Sequence, residues 1–156
     1  MRSFRSRFET NCRRKDGRNL TTEWVFGHRN AEFVSNRDGL MNLKDETEHL
    51  MGLFSSSHMS FDIDRNVEQE PSLTEMTLKA IEVLSRKNRH GFLLVVEAGK
   101  IDIAHHHNNA FRALDDTLAL ERAVEAVVRN CSLISKIINN HCVKSLNNFA
   151  YTFRFI

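Results

Sequence analysis

Residues 92–96 read FLLVV, five apolar side chains without a polar interruption, bounded by Gly91 on one side and Glu97 on the other. Successive side chains of a strand point to opposite faces, so an unbroken apolar run predicts a strand covered on both sides, as in a parallel sheet between helices. The flanking segments supply such helices. Pro71 and Ser72 open one of them, and Glu75 stands three residues after Ser72, the capping-box spacing in which side chain and backbone satisfy each other's free amides. Leu73, Met76, Ala80, Ile81 and Leu84 then recur at helical spacing until the basic run RKNRH and Gly91 close the helix. Downstream, Ala110, Ala113, Thr117, Leu120, Val124, Val127 and Cys131 step by threes and fours, which predicts a long helix with one buried stripe. Helix, buried strand, helix is the rhythm of an α/β layered fold, a parallel-sheet core with flanking helices.

Upstream, NLTTEWVFG (19–27) reads as a short helix with Leu20, Trp24 and Val25 on one side. AEFVSN (31–36) reads as a short strand, and HLMGLF (49–54) as a second apolar run ended by a serine turn at 55–57. Residues 1–18 carry seven basic residues against Glu9 and Asp16, and 129–156 read as a divergent tail with no acidic residue and no clean period. The 22 basic and 20 acidic residues nearly cancel, so no nucleic-acid partner is expected. No apolar stretch reaches the roughly 20 residues of a membrane helix, and no signal-peptide core is visible near the start. Cys12, Cys131 and Cys142 are odd in number and scattered, which fits neither a zinc ribbon nor a disulfide framework. Asn19 and Asn130 match the glycosylation acceptor pattern.

The chemistry-bearing stretch is VEAGKIDIAHHH, residues 96–107. Glu97 falls just beyond the carboxyl end of the predicted strand, where ligands collect in open α/β sheets. Asp102 and His106 are four apart, so a helical turn would aim both at one ion, and carboxylate with imidazole is a zinc donor set. Glu97 could serve a harder ion such as magnesium. A third zinc ligand would have to come from His28, His49, His58, His90 or His141, candidates by residue type alone. The competing reading is a solvated helix start in which the histidines are incidental. Asp115 and Asp116, adjacent on a helix, read as a solvated face.

The stretch GFLLVVEAGKIDIAHHHNNAFRALDDTLALERAV resembles the signature of the alkaline phosphatase family, an apolar run followed by V-E-G-G-R-I-D-H-x-H-H and a helix. RRKDGRNLTTEW, HLMGLF, MSFDIDRN and EPSLTEMTLKAIEVLSRK also fall in that family's order and spacing, so the resemblance covers about residues 11–128 and implies a partial domain there, between a basic N-terminal segment 1–10 and the tail 129–156. It is strongest to the animal, especially insect, membrane-bound branch.

The resemblance implies hydrolysis of phosphate monoesters through a phosphoserine intermediate at a site with two zinc ions and one magnesium ion. It gives Glu97 to magnesium, Asp102 and His106 to one zinc, and leaves His105 and His107 as bystanders. It also implies a calcium site at the Phe54 carbonyl and Glu70, although Ser55 stands where many relatives carry glutamate. Ala98, Lys100 and Ile103 replace the family's glycine, arginine and histidine without removing a metal ligand. The family's nucleophilic serine lies upstream of this segment and its remaining zinc ligands lie downstream, so this chain is expected to be an internal piece, inactive alone. The alternative is a non-catalytic metal-binding or interaction fragment. Family members are often homodimers, either extracellular or held at the plasma membrane by a lipid anchor.

Overall fold

A computed structural model describes residues 16–86 and 91–137 of the chain. Asn19 caps the first helix, α1 (Leu20–Gly27), by accepting from the Thr22 amide at 3.2 Å. β1 (Ala31–Val34) follows, then a short helix α2 (Arg37–Met41), capped by Asn36 accepting from the Gly39 amide at 2.8 Å, then β2 (His49–Gly52). β1 and β2 pair in parallel, with Ala31 opposite His49 and Val34 opposite Gly52. Parallel strands need a crossover rather than a hairpin, and the segment containing α2 provides it. The fold is therefore α/β, a two-stranded parallel sheet with flanking helices, and partial in extent.

α3 (Leu73–Ser85) packs against this sheet. Val34, Leu40, Leu50, Phe54, Met76 and Val83 form the core between them, supported by Leu43, Met59 and Leu73. The capping box is present as the sequence predicts. Ser72 Oγ accepts from the Glu75 amide at 3.2 Å, and Glu75 Oε2 accepts from the Ser72 amide at 2.8 Å. Glu75 also binds Arg37 of α2, whose Nε and Nη2 lie 2.8 and 2.6 Å from Oε1, so one carboxylate joins the crossover helix to the start of α3. α4 (Lys100–His106) and the long α5 (Ala110–Ile137) complete the described residues, with α5 lying across both α3 and α4.

Three expectations are corrected. Residues 92–96 form no strand. Leu93 makes a single bridging contact, while Phe92, Leu93 and Val95 are 38%, 49% and 52% exposed. The sheet among the described residues has two strands, and no third lies alongside the run to cover it. The buried stripe of α5 is also rotated. Ala113, Asp116, Ala119 and Ala123 face inward, while Thr117 and Val124 are exposed. Small side chains allow α5 to lie close to its neighbours, and the larger valine is left outside. Asp116 is consequently not on a solvated face. The Leu20, Trp24, Val25 side of α1 is only partly covered, and α1 buries no residue. α5 itself continues unbroken past 128 to Ile137, while Cys12, His90, His141, Cys142 and the segments 1–10 and 138–156 lie outside the described residues.

Candidate functional site

The histidine triplet is the last turn of α4 and its cap. α4 starts at Gly99 without a side-chain cap, and the Glu97 carboxylate folds back over that glycine, its Oε1 3.6 Å from where a Cβ would stand. The helix stops because Asn108 adopts a left-handed conformation (φ 51°), which asparagine tolerates better than most residues. The Asn109 amide then closes back to the Ala104 carbonyl at 2.9 Å, and its side chain accepts from the Arg112 amide at 3.1 Å to start α5. The pair Asn108–Asn109 is thus the hinge between the two helices.

Within α4, Asp102 and His106 share a face, as their spacing predicts. His106 Nε2 lies 3.2 Å from Asp102 Oδ2, and both side chains are about three-quarters exposed, 75% and 78%. A carboxylate and an imidazole held this way can take two positions on one zinc ion. His107 caps α4 and His105 is exposed. The structure brings Glu97 and Asp102 to the rim of one cleft of about 330 Å³, whereas His106 stands outside its lining. His58, a third-ligand candidate, also borders this cleft, while His28 and His49 sit beside each other instead. No group of three histidine, cysteine or acidic side chains among the described residues is placed to hold a metal ion. The residues present therefore fit part of a zinc or magnesium coordination sphere and not a whole one.

The cleft has a further carboxylate, which the sequence reading places on a solvated face. Asp116 of α5 lines it at 7% exposure, and its Oδ2 has no hydrogen-bond partner. Burial raises its pKa, a hydrogen bond from the Asp62 backbone opposes the rise, and the charges of Asp62 and Asp115 add to it. Its neighbours belong to a 3-10 turn, Asp62–Asp64, inside the MSFDIDRN motif. Asp62 pairs with Arg65 at 3.1 Å and Arg122 at 2.7 Å, and Asp64 pairs with Arg112 at 2.7 Å. The Arg112 hydrogen bond lowers the Asp64 pKa against a burial effect of opposite sign. Phe61 receives Lys100 Nζ on its ring, 3.9 Å from the centroid, which ties the start of α4 to the same turn. These ion pairs fix the cleft wall. The only sequence signal for them was an acid-rich motif ahead of an arginine-bearing helix.

Of the two expected calcium residues, Glu70 has both carboxylate oxygens engaged by Ser60, from its amide at 3.1 Å and its hydroxyl at 3.0 Å. Phe54 contributes its ring to the core. Ser55 Oγ donates to the His58 carbonyl at 3.0 Å.

Comparison with known proteins gives a consistent match. The family model described as alkaline phosphatase matches residues 2–136. Alkaline phosphatase 4 of Drosophila melanogaster is 41% identical over 133 residues, covering 81% of this chain and 22% of the relative. The membrane-bound alkaline phosphatase of Bombyx mori is 38% identical over 146 residues, covering 88% and 26%. The human tissue-nonspecific isozyme is 37% identical over 115 residues, covering 71% and 22%. The crystal structure of Thermus thermophilus alkaline phosphatase superposes with a TM-score of 0.65 at 34% identity, covering 74% of this chain and 24% of that one. The chain spans about a quarter of the length of the curated relatives it matches.

Proposed function

The chain belongs to the alkaline phosphatase family, and from that premise we propose that it carries one wall of a metal-dependent phosphomonoesterase site. Asp102 and His106 supply two ligands to one zinc ion, and Glu97 supplies one to magnesium. The observation that carries this reading is the 3.2 Å approach of His106 Nε2 to Asp102 Oδ2 on an exposed helix face. A bound zinc ion would provide Lewis-acid stabilisation of charge on a phosphoryl oxygen. The residues of this chain prepare the place for it. Asp102 orients the imidazole, Asn108 and Asn109 fix the end of the helix that bears it, and the Asp62–Arg122 and Asp64–Arg112 pairs brace the adjoining cleft.

An ion can take His106 Nε2 only when that nitrogen carries no proton, so binding weakens in acid. A calcium ion at the Phe54 carbonyl and Glu70 would share the Glu70 carboxylate with the Ser60 amide and hydroxyl, each carboxylate oxygen keeping a further lone pair. The substrates are phosphate monoesters, the assembly a homodimer, and the location extracellular or at the plasma membrane. A second reading, a metal-binding segment without catalysis, is favoured by the lack of a third ligand among the described residues.

The test is a pair of measurements on the purified chain. In the first, zinc is titrated while the ring nitrogens of His106 are followed by NMR. They should shift, and Asp102→Ala should reduce the response at least tenfold. An unmoved His106 sinks the ligand assignment. In the second, a chromogenic phosphate monoester is supplied at alkaline pH with zinc and magnesium. No turnover is expected; turnover abolished by Asp102→Ala would show a complete site and overturn the one-wall reading.

A further inference from the structure

His28 and His49 are far apart in sequence and adjacent in the fold. His28 is the residue at which α1 ends, and His49 is the first residue of β2, pairing in register with Ala31 of β1. Their ring centroids are 5.2 Å apart with the planes inclined at 56°. Two imidazoles bound to one tetrahedral ion, each nitrogen about 2.0–2.1 Å from the metal, put their ring centres about 5 Å apart. The observed separation matches that of two imidazoles on one ion, and the 56° inclination is not that of a face-to-face stack.

His28 is also oriented in the way ligands are. Its Nδ1 lies 2.8 Å from the Trp24 carbonyl. A neutral histidine that donates one ring nitrogen to a carbonyl leaves the other as an acceptor, the outer-sphere arrangement typical of metal-bound imidazoles. Neither Nε2 of His28 nor the ring of His49 has a hydrogen-bond partner among the described residues. We propose that His28 and His49 form a two-imidazole site for a borderline divalent transition-metal ion, cross-linking the end of α1 to the start of β2.

Imidazole donors suit zinc, copper and nickel rather than magnesium or calcium. With two protein ligands, water fills the remaining positions, so the site is a modest-affinity one that loads and unloads with metal supply. Its structural effect is specific. α1 buries no residue, and a metal bridge fastens it to the sheet by a second attachment besides its packing on β1. This site does not depend on Asp102, His106 or any phosphatase activity.

The fold supplies its own reporter. Trp24, the single tryptophan of the chain, lies against His28 with ring centroids 4.9 Å apart and planes inclined at 34°. Copper(II) titrated into the full chain at pH 7.5 should quench Trp24 fluorescence saturably, and a chelator should restore it. His49→Ala should weaken the apparent affinity at least tenfold, as should His28→Ala, a change at an exposed cap position that α1 can accommodate. His105→Ala should leave the titration unchanged. Acidification to pH 5 should abolish the quench, since both imidazoles must be neutral to bind. Quenching of wild-type strength in both His28→Ala and His49→Ala, or a linear response with no saturation, would overturn the proposal.

Discussion

Replacing Glu75 by glutamine removes one charge from the junction that sets α3 against the sheet. Its Oε2 accepts from the Ser72 amide and hydroxyl at 2.8 and 3.1 Å, and its Oε1 takes Arg37 Nε and Nη2 at 2.8 and 2.6 Å. Burial works against the charged carboxyl and is outweighed by the hydrogen bonds from Arg37 and Ser72, so its pKa lies below the ordinary value. Glutamine keeps the shape but must turn its amide hydrogens toward Arg37 or toward Ser72. Hydrogen bonds to charged groups contribute about 1.5–3 kcal/mol. The Arg37 side chain is 34% exposed, so solvent screening reduces the ion-pair share to about 1 kcal/mol. Weakening half of the capping box adds about 0.5 kcal/mol. The expected loss at pH 7 is about 1.5 kcal/mol.

The sign of its pH dependence is fixed by the lowered pKa. Such a group contributes stability that is fully present above its unfolded pKa, about 4.3, and is lost as pH falls through the folded value. The stability gap between wild type and Glu75→Gln should therefore be full at pH 7 and close on acidification, because a protonated Glu75 resembles glutamine. Urea unfolding followed by far-UV circular dichroism, repeated between pH 7 and pH 3, measures it. A gap that stays constant across that range would refute the charge argument and leave only side-chain shape.

Asp116 gives the opposite sign. Burial raises its pKa, so the folded state favours the protonated form, and stability from that group is present below its unfolded pKa and lost as pH rises through the folded value. Asp116→Asn should stabilise the chain by about 1 kcal/mol at pH 7 and by nothing below about pH 4, read from the same urea series. Gly52→Ala tests the packing of β2. A Cβ there would stand 2.7 and 2.8 Å from Cζ and Cε2 of the buried Phe54 ring, so the variant should lose about 1–3 kcal/mol, and an unchanged urea midpoint would refute the packing.

What could be read from the sequence was what is local. The Ser72–Glu75 box, the Asp102–His106 pairing and the starts of α3 and α5 each depend on residues within four positions, and each is present. The Arg37–Glu75 clamp spans 38 residues, and no periodicity carries such a contact. Asp116 shows a subtler limit. Adjacent helical residues do point apart, so one of Asp115 and Asp116 had to face more inward, but spacing cannot say which. The alanines at 113, 119 and 123 decided it by letting α5 approach closely; the predicted stripe shared Ala113 but continued through Thr117 and Val124 instead of Asp116, Ala119 and Ala123.

The run at 92–96 reveals most about the candidate site. Five consecutive apolar side chains specify an environment covered on both faces, and burying each would contribute about 1.5–3 kcal/mol if neighbours were there. Phe111, Leu114 and Leu118 stand exposed on α5 away from its alanine stripe, so that helix too is apolar on more than one side, the pattern of a helix enclosed rather than superficial. Glu97 follows the exposed run directly, and Asp102 and His106 follow on α4, whose packing partner is α5. Under the proposed metal-site reading these three residues stand at the margin between the surface the described residues cover and the surface they leave open. Under that reading a zinc ion held by Asp102 and His106 would meet donors among the described residues from one side only, the side on which α4 packs against α5.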